Sequence, residues 1–286
     1  MKAISLPLFA ALVLVTAPVL HAQVLSDSFT TFDTTKWTAE SSSSPSATYL
    51  TTSGGLLTEK VGSLNSGHRS FIVSQSTAIN PFSQALTFTF SGLTLSGTPT
   101  GATGTTGWVA FYATVGQVTN DTLANYYPSQ TLGGDTLSFE LADFTNGYQI
   151  KMLDSTGTTI SSLSLTLAGT PTDISWTIDG TGSTKTYSFT LTGATFTTNG
   201  LNTYTGTFTN FNLAGLGTTP ASRLAFGVLD SAAPSTYTTA TLDSISVDAT
   251  VVSVPEPGTW SLLAGGLLAL GIALRRRGRS LAAVRL

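Results

Sequence analysis

Apolar and polar residues alternate with a period of two along much of the chain between positions 23 and 250. Leu86, Phe88 and Phe90 fall on one face of a strand while Thr87 and Thr89 fall on the other, the pattern of a strand buried on one side. Ile174, Trp176 and Ile178 repeat it, as do Tyr187, Phe189 and Leu191. Residues 107–115 are apolar on both faces and predict an interior strand. Ser53-Gly54-Gly55, between Tyr49 and Leu57, predicts a hairpin turn. Further strands are predicted near 71–74, 137–141, 148–153, 162–167, 204–211, 224–229 and 242–247. Many short strands, brief turns and no internal repeat predict an all-β body, with two antiparallel sheets packed face to face.

The alternation stops at both ends of the chain. Met1 and Lys2 precede an apolar run over 4–15 and then Ala17-Pro-Val-Leu-His-Ala22, which predicts a secretory signal peptide, residues 1–22, cut after Ala22. At the other end stand Val254-Pro255-Glu256-Pro257, an apolar run over 260–274, and Arg275, Arg276, Arg277 and Arg279. Residues 260–274 predict a transmembrane helix with the basic segment 275–286 on the cytoplasmic side. The run is shorter than the roughly 20 residues a bilayer needs, so Trp260 at the headgroups and snorkelling arginines must hold it in place. The prolines cannot continue the helix upstream. The linker 251–259, which carries Glu256, is therefore expected to be extended and open to proteases.

Composition sharpens this division into signal, body (23–250), linker, span and tail. Residues 23–253 hold six Lys and Arg against fourteen Asp and Glu, a net charge of −8, because five basic residues sit in the tail and Lys2 in the signal peptide. So acidic a body has no basic patch for phosphates, which argues against a nucleic-acid partner. The absence of cysteine excludes disulfides, thiol catalysis and thiolate metal sites. Abundant Thr and Ser fit the solvent faces of strands, and Gly with Asn and Asp supplies turns.

The tail, with Val254-Pro255-Glu256-Pro257 followed by an apolar helix and Arg275-Arg276-Arg277, resembles the PEP-CTERM sorting signal of Gram-negative bacteria that make extracellular polysaccharide. The resemblance implies export through the Sec machinery, a transient stay in the inner membrane, and cleavage near the motif by exosortase, a membrane cysteine protease. Release to the cell surface or matrix would follow. The same residues also fit an ordinary C-terminal anchor with a proline-rich stalk, which gives that topology without cleavage.

The body carries a second resemblance at its ends. Asp27-Ser-Phe29, Phe32-Asp33-Thr-Thr-Lys36-Trp37 and Leu242-Asp243-Ser-Ile245-Ser-Val247 resemble the opening and closing strands of concanavalin A-like jelly-roll domains. This implies that the first and last strands are neighbours. Many members bind or cleave carbohydrate, but fold alone establishes neither activity.

Candidate chemistry is thin. A jelly-roll glycosidase related to the laminarinases would carry carboxylates two residues apart on one strand face. The nearest pair, Glu140 and Asp143, has an odd separation that sends the two to opposite faces unless a bulge intervenes. Glu140 is therefore expected to be an exposed strand residue, and no catalytic set is assigned. His68 is the only histidine of the mature body and reads as a turn residue. Trp37 and Trp176 are expected in the core. Trp108, Tyr126 and Tyr127 are candidate platforms for sugar faces. Asp27 and Asp243 could approach each other and hold Ca²⁺ if the end strands pair, but solvated or turn-capping aspartates are the favoured reading; no other cofactor is expected. The sequence thus predicts an exported, non-enzymatic surface or matrix protein associated with exopolysaccharide. A carbohydrate-binding module and a divergent glycoside hydrolase are the alternatives.

Overall fold

The computed structural model describes residues 20–41, 50–53, 56–61, 69–77, 79–99, 108–117, 135–156, 159–213, 222–230, 238–251 and Gly266. The body forms one compact unit, His21–Thr250; a second unit comprises Met1–Leu20 and Val251–Leu286 and lies almost wholly outside the described residues. The expected membrane helix and the expected signal peptide up to Leu20 fall there, whereas His21 and Ala22 belong to the body. Among the described residues no helix is long and apolar enough to cross a membrane.

The strands of the body run in chain order as β1 (Leu20–Asp27), β2 (Trp37–Ser41), β3 (Leu50–Ser53), β4 (Leu56–Val61), β5 (Arg69–Ser74), β6 (Leu86–Ser91), β7 (Thr94–Ser96) and β8 (Val109–Gly116). They continue as β9 (Thr136–Phe144), β10 (Gly147–Thr156), β11 (Thr159–Asp179), β12 (Thr186–Phe196), β13 (Thr203–Thr207), β14 (Arg223–Asp230), β15 (Thr238–Leu242) and β16 (Ser244–Val251). One antiparallel sheet of twelve strands follows the path β1-β16-β6-β11-β10-β9-β8-β14-β5-β2, with β12 and β13 added beside β11. A smaller sheet has the order β3-β4-β15-β7. First and last strands are neighbours, as the jelly-roll resemblance implies.

The expectation of two separate sheets is corrected by β11. Its first part, Thr159 to Thr166, pairs with β10; its later part, Leu167 to Asp179, pairs with β12, and Ile174 to Ile178 with β6. The large sheet is therefore continuous and curls through this 21-residue strand. The stretches 162–167 and 174–178 were expected as two strands. They are one, because the break between them is a bulge: register against β12 shifts between Gly169 and Asp173. Pro171 lies in the bulge, where a missing amide donor costs no ladder bond.

The two arms of the curl face each other across an aromatic core. Phe90 of β6 meets Phe111, Phe139 and Phe226 with ring centres 5.3, 5.8 and 5.6 Å apart. Trp176 of β11 lies 5.2 Å from Phe139. Most of these contacts are edge-on, the geometry that aromatic quadrupoles favour, and each buried ring stabilises the fold by about 2–3 kcal/mol through its area alone. Trp37 and Trp176 are buried, as expected. The outward positions of the β16-β6-β11-β12-β13 arm explain the Ser and Thr content: Ser246, Thr89, Ser175, Thr190 and Thr203 form one row across five strands.

Two more expected strands are redrawn. The stretch 242–247 is divided at Asp243, where the chain leaves the small sheet and joins the large one. The stretch 204–211 stays in the ladder only to Thr207. Phe208 and Phe211 instead leave it to pack on Phe82, at 6.2 and 5.0 Å.

Candidate functional site

The arm β10-β9-β8-β14-β5-β2 has two apolar faces. Its inner face carries Phe111, Phe139 and Phe226. Its outer face carries Phe71, Val73, Ala110, Tyr112, Ala142, Phe144 and Ala225, all buried, with Trp108 half-buried against them. Glu140 sits in the middle of that outer face, in register with Tyr112 of β8 on one side and Lys151 of β10 on the other. Glu140 is only 2% exposed, which corrects the expected solvent-facing residue. The reason is its place on a central strand whose outer face is packed as well as its inner one. Its Oε1 has no hydrogen-bond partner among the described residues. Burial raises its pKa from 4.5 to about 7, opposed by the Lys151 ammonium.

Asp143 does not join it. Registers on both sides of β9 run without a shift from Glu140 to Asp143, so no bulge intervenes and the two carboxylates leave opposite faces of the sheet. Burial also raises the Asp143 pKa, opposed by the Phe144 amide and the Tyr148 hydroxyl. The geometry does not place these two groups on either side of one glycosidic bond.

The aspartates at the ends of the body have separate tasks. Asp27 accepts the Phe29 amide at 2.8 Å and the Trp37 indole N–H at 2.8 Å, with the Lys36 ammonium 3.9 Å away. It thereby holds Phe29 at a φ of +48° while that ring packs on Trp37 and Phe226. Asp243 occupies the corner between β15 and β16, where its amide donates to Ser91 O at 2.9 Å. Both act as turn residues, and among the described residues no group of three or more His, Cys, Asp or Glu side chains gathers. Of the remaining candidates, Tyr126, Tyr127, His68 and the whole sorting segment Val254–Arg279, Gly266 excepted, lie outside the described residues.

Asp154 was not singled out in the sequence. Its carboxylate accepts backbone amides from Thr209 (2.7 Å), Asn210 (2.9 Å) and Phe211, which ties the 208–213 loop to β10. A signal was present: Asp154 continues the inward phase of Ile150 and Met152, a carboxylate in an apolar stripe. Beside it the two arms part. A cavity of about 410 Å³ opens there, with Leu137, Met152 and Leu163 on one wall and Tyr187 and Tyr204 on the other.

Comparison with known proteins gives two findings. Residues 253–277 match the PEP-CTERM protein-sorting motif, which takes in Val254 to Pro257, Trp260 and Arg275 to Arg277. No curated protein matches the chain. Among solved structures, the body is similar to the CBM2 module of the evolved Dit of Lactobacillus casei BL23 phage J-1, at 10% identity and a TM-score of 0.50 over 83% of this chain and all of that one. Basic winged bean lectin in complex with Tn-antigen gives 11% identity and 0.48 over 82% of this chain and all of that one. The Bacteroides ovatus xyloglucan PUL GH43B gives 13% and 0.48, and there the match spans 82% of this chain but 41% of the other.

Proposed function

We propose that this chain, which carries the sorting signal of an exported and membrane-processed protein, is a non-enzymatic component of the surface or matrix of a Gram-negative bacterium. In this reading the Sec machinery exports it, the tail holds it in the inner membrane, and an exosortase-type protease cuts near Pro257. The body then associates with extracellular polysaccharide. The match of residues 253–277 to the sorting motif carries the proposal. The placement of Glu140 and Asp143 on opposite faces supports a body without paired-carboxylate catalysis.

Processing is tested by identifying both terminal peptides of the native protein and fractionating the cells. A mature form that begins near Gln23, ends near Pro257 and lies outside the cell is expected. A double variant, Pro255→Ala with Pro257→Ala, should stay in the membrane fraction. Unchanged release of that variant, or an intact arginine tail on the wild-type protein, would defeat the proposal and leave a tethered periplasmic domain.

A further inference from the structure

The inner face of a sandwich is where side chains are expected to be covered, and at one edge of this body one of them is not. Leu163 continues the inward phase of Leu165 and Leu167, which are buried, yet it is 39% exposed. On the opposite arm β13 points Tyr204 and Gly206 inward, in register with Phe189 and Tyr187 of β12. Gly206 has no side chain, and the space one would take is filled by Tyr187. A Cβ there would lie 2.4 Å from the Tyr187 hydroxyl oxygen, so the glycine lets the Tyr187 ring cross β13 and line the opening. The rings of Tyr187 and Tyr204 are 6.4 Å apart and inclined by 30°.

The result is a mouth between the arms of about 410 Å³, within the range of small-molecule sites, which runs from roughly 300 Å³ upward. Its chemistry is mixed in a particular way. Leu137 and Met152 form an apolar floor, two tyrosine rings form a wall, and Ser161, Ser162, Thr205 and Thr207 put polar groups at the rim. Among the described residues no lysine, arginine or histidine lines it, so none of them selects an anion. Asp154 already accepts three backbone amides and does not call for a cation. An occupant should be neutral and ring-sized, apolar on its faces and hydroxylated around its edge.

We propose that this inter-arm mouth binds a single neutral pyranose unit, stacked against Tyr204 with its hydroxyls at the Ser161, Ser162 and β13 rim. The site is distinct from the outer face around Glu140. It gives the matrix reading a ligand class and rests on that reading for the source of the sugar. The binding itself is a property of the purified protein, so its failure is distinguishable from a failure of tail processing.

The test is saturation-transfer NMR on the full chain in phosphocholine nanodiscs, with the methyl pyranosides of glucose, galactose and mannose as probes. At least one should bind saturably. Leu163→Trp, which narrows the mouth from an exposed position, and Tyr204→Ala, which removes a stacking ring, should each weaken binding at least tenfold. The thermal midpoint serves as the folding control, and the second variant keeps the test decisive if one of them misfolds. No saturable binding, or undiminished binding in every folded variant, would overturn the site. Equal binding of hexan-1-ol would overturn the ligand class.

Discussion

Glu140, Asp154 and Asp27 carry the same carboxyl group into three surroundings, and its consequences differ with the donors at hand. Asp154 and Asp27 are met by N–H groups, whereas Glu140 Oε1 is met by none among the described residues. Burial therefore holds Glu140 near the neutral form, with a pKa raised to about 7. A group whose pKa is higher in the folded than in the unfolded state contributes stability that is fully present below its unfolded value, here about 4.5, and is lost as pH rises through about 7. The unfolding midpoint of the body should fall between about pH 5 and pH 8, by an amount on the order of 3 kcal/mol in stability. Glu140→Gln should flatten that dependence. A wild-type curve that is already flat would mean the carboxyl is solvated. Asp154→Ala should cost about 3 kcal/mol in denaturant unfolding, because it leaves buried loop amides without an acceptor; a loss under about 0.5 kcal/mol would show that the 208–213 loop holds itself.

Where β6 passes to β7 and β15 passes to β16, two neighbouring strands turn the same corner, from one sheet to the other. Gly92 and Asp243 meet there. Gly92 has a φ of +66°, a Cβ on it would lie 2.1 Å from Asp243 Oδ2, and its amide donates to Asp173 Oδ1 at 3.0 Å. The bulge of β11 supplies Asp173, so one irregularity positions the group that fixes another. Gly92→Ala combines a left-handed backbone with a clash and should destabilise the body by roughly 2 kcal/mol; a neutral effect in thermal unfolding would mean the corner can relax. Period-two alternation made β6 and the first part of β12 legible from sequence, because Leu86, Phe88 and Phe90, like Tyr187, Phe189 and Leu191, keep one apolar phase, while β8 was legible because it is apolar on both faces. A single strand over 242–247 misses the corner at Asp243, although Asp243 and Ser244 put Leu242 out of phase with Ile245 and Val247. Alternation also misplaced Glu140. Phe139 and Leu141 claim the inner face, which sends residue 140 outward, but whether outward means solvent depends on Phe71 and Tyr112, contributed by other strands. The mouth beside Tyr187 was hidden for a related reason, because it exists only where two distant strand pairs fail to meet.

For the molecule as a whole, charge is divided between the body and the parts expected to be removed. The complete chain has a sequence pI of about 5.2. Five of its twelve basic residues follow Pro257 and a sixth is Lys2, which leaves six basic against fourteen acidic residues between Gln23 and Ser253. The processed form should therefore focus at a distinctly lower pH than the precursor, and it should be repelled by polyanionic polymers at low salt while remaining free to associate with neutral ones. Co-migration of released and precursor forms in isoelectric focusing would show that the tail is retained.

The pairing of β1 with β16 also sets an order of events. A chain emerging amino end first presents β1 long before its partner exists, and the intervening strands can form only a sheet with an unfinished edge. Contacts between residues so distant in sequence close slowly. The body thus remains incomplete, and open to passage through a narrow channel, until synthesis reaches the last strand. The sorting motif at 253–277 follows that strand directly, so the completion of folding and the exposure of the sorting signal become nearly simultaneous.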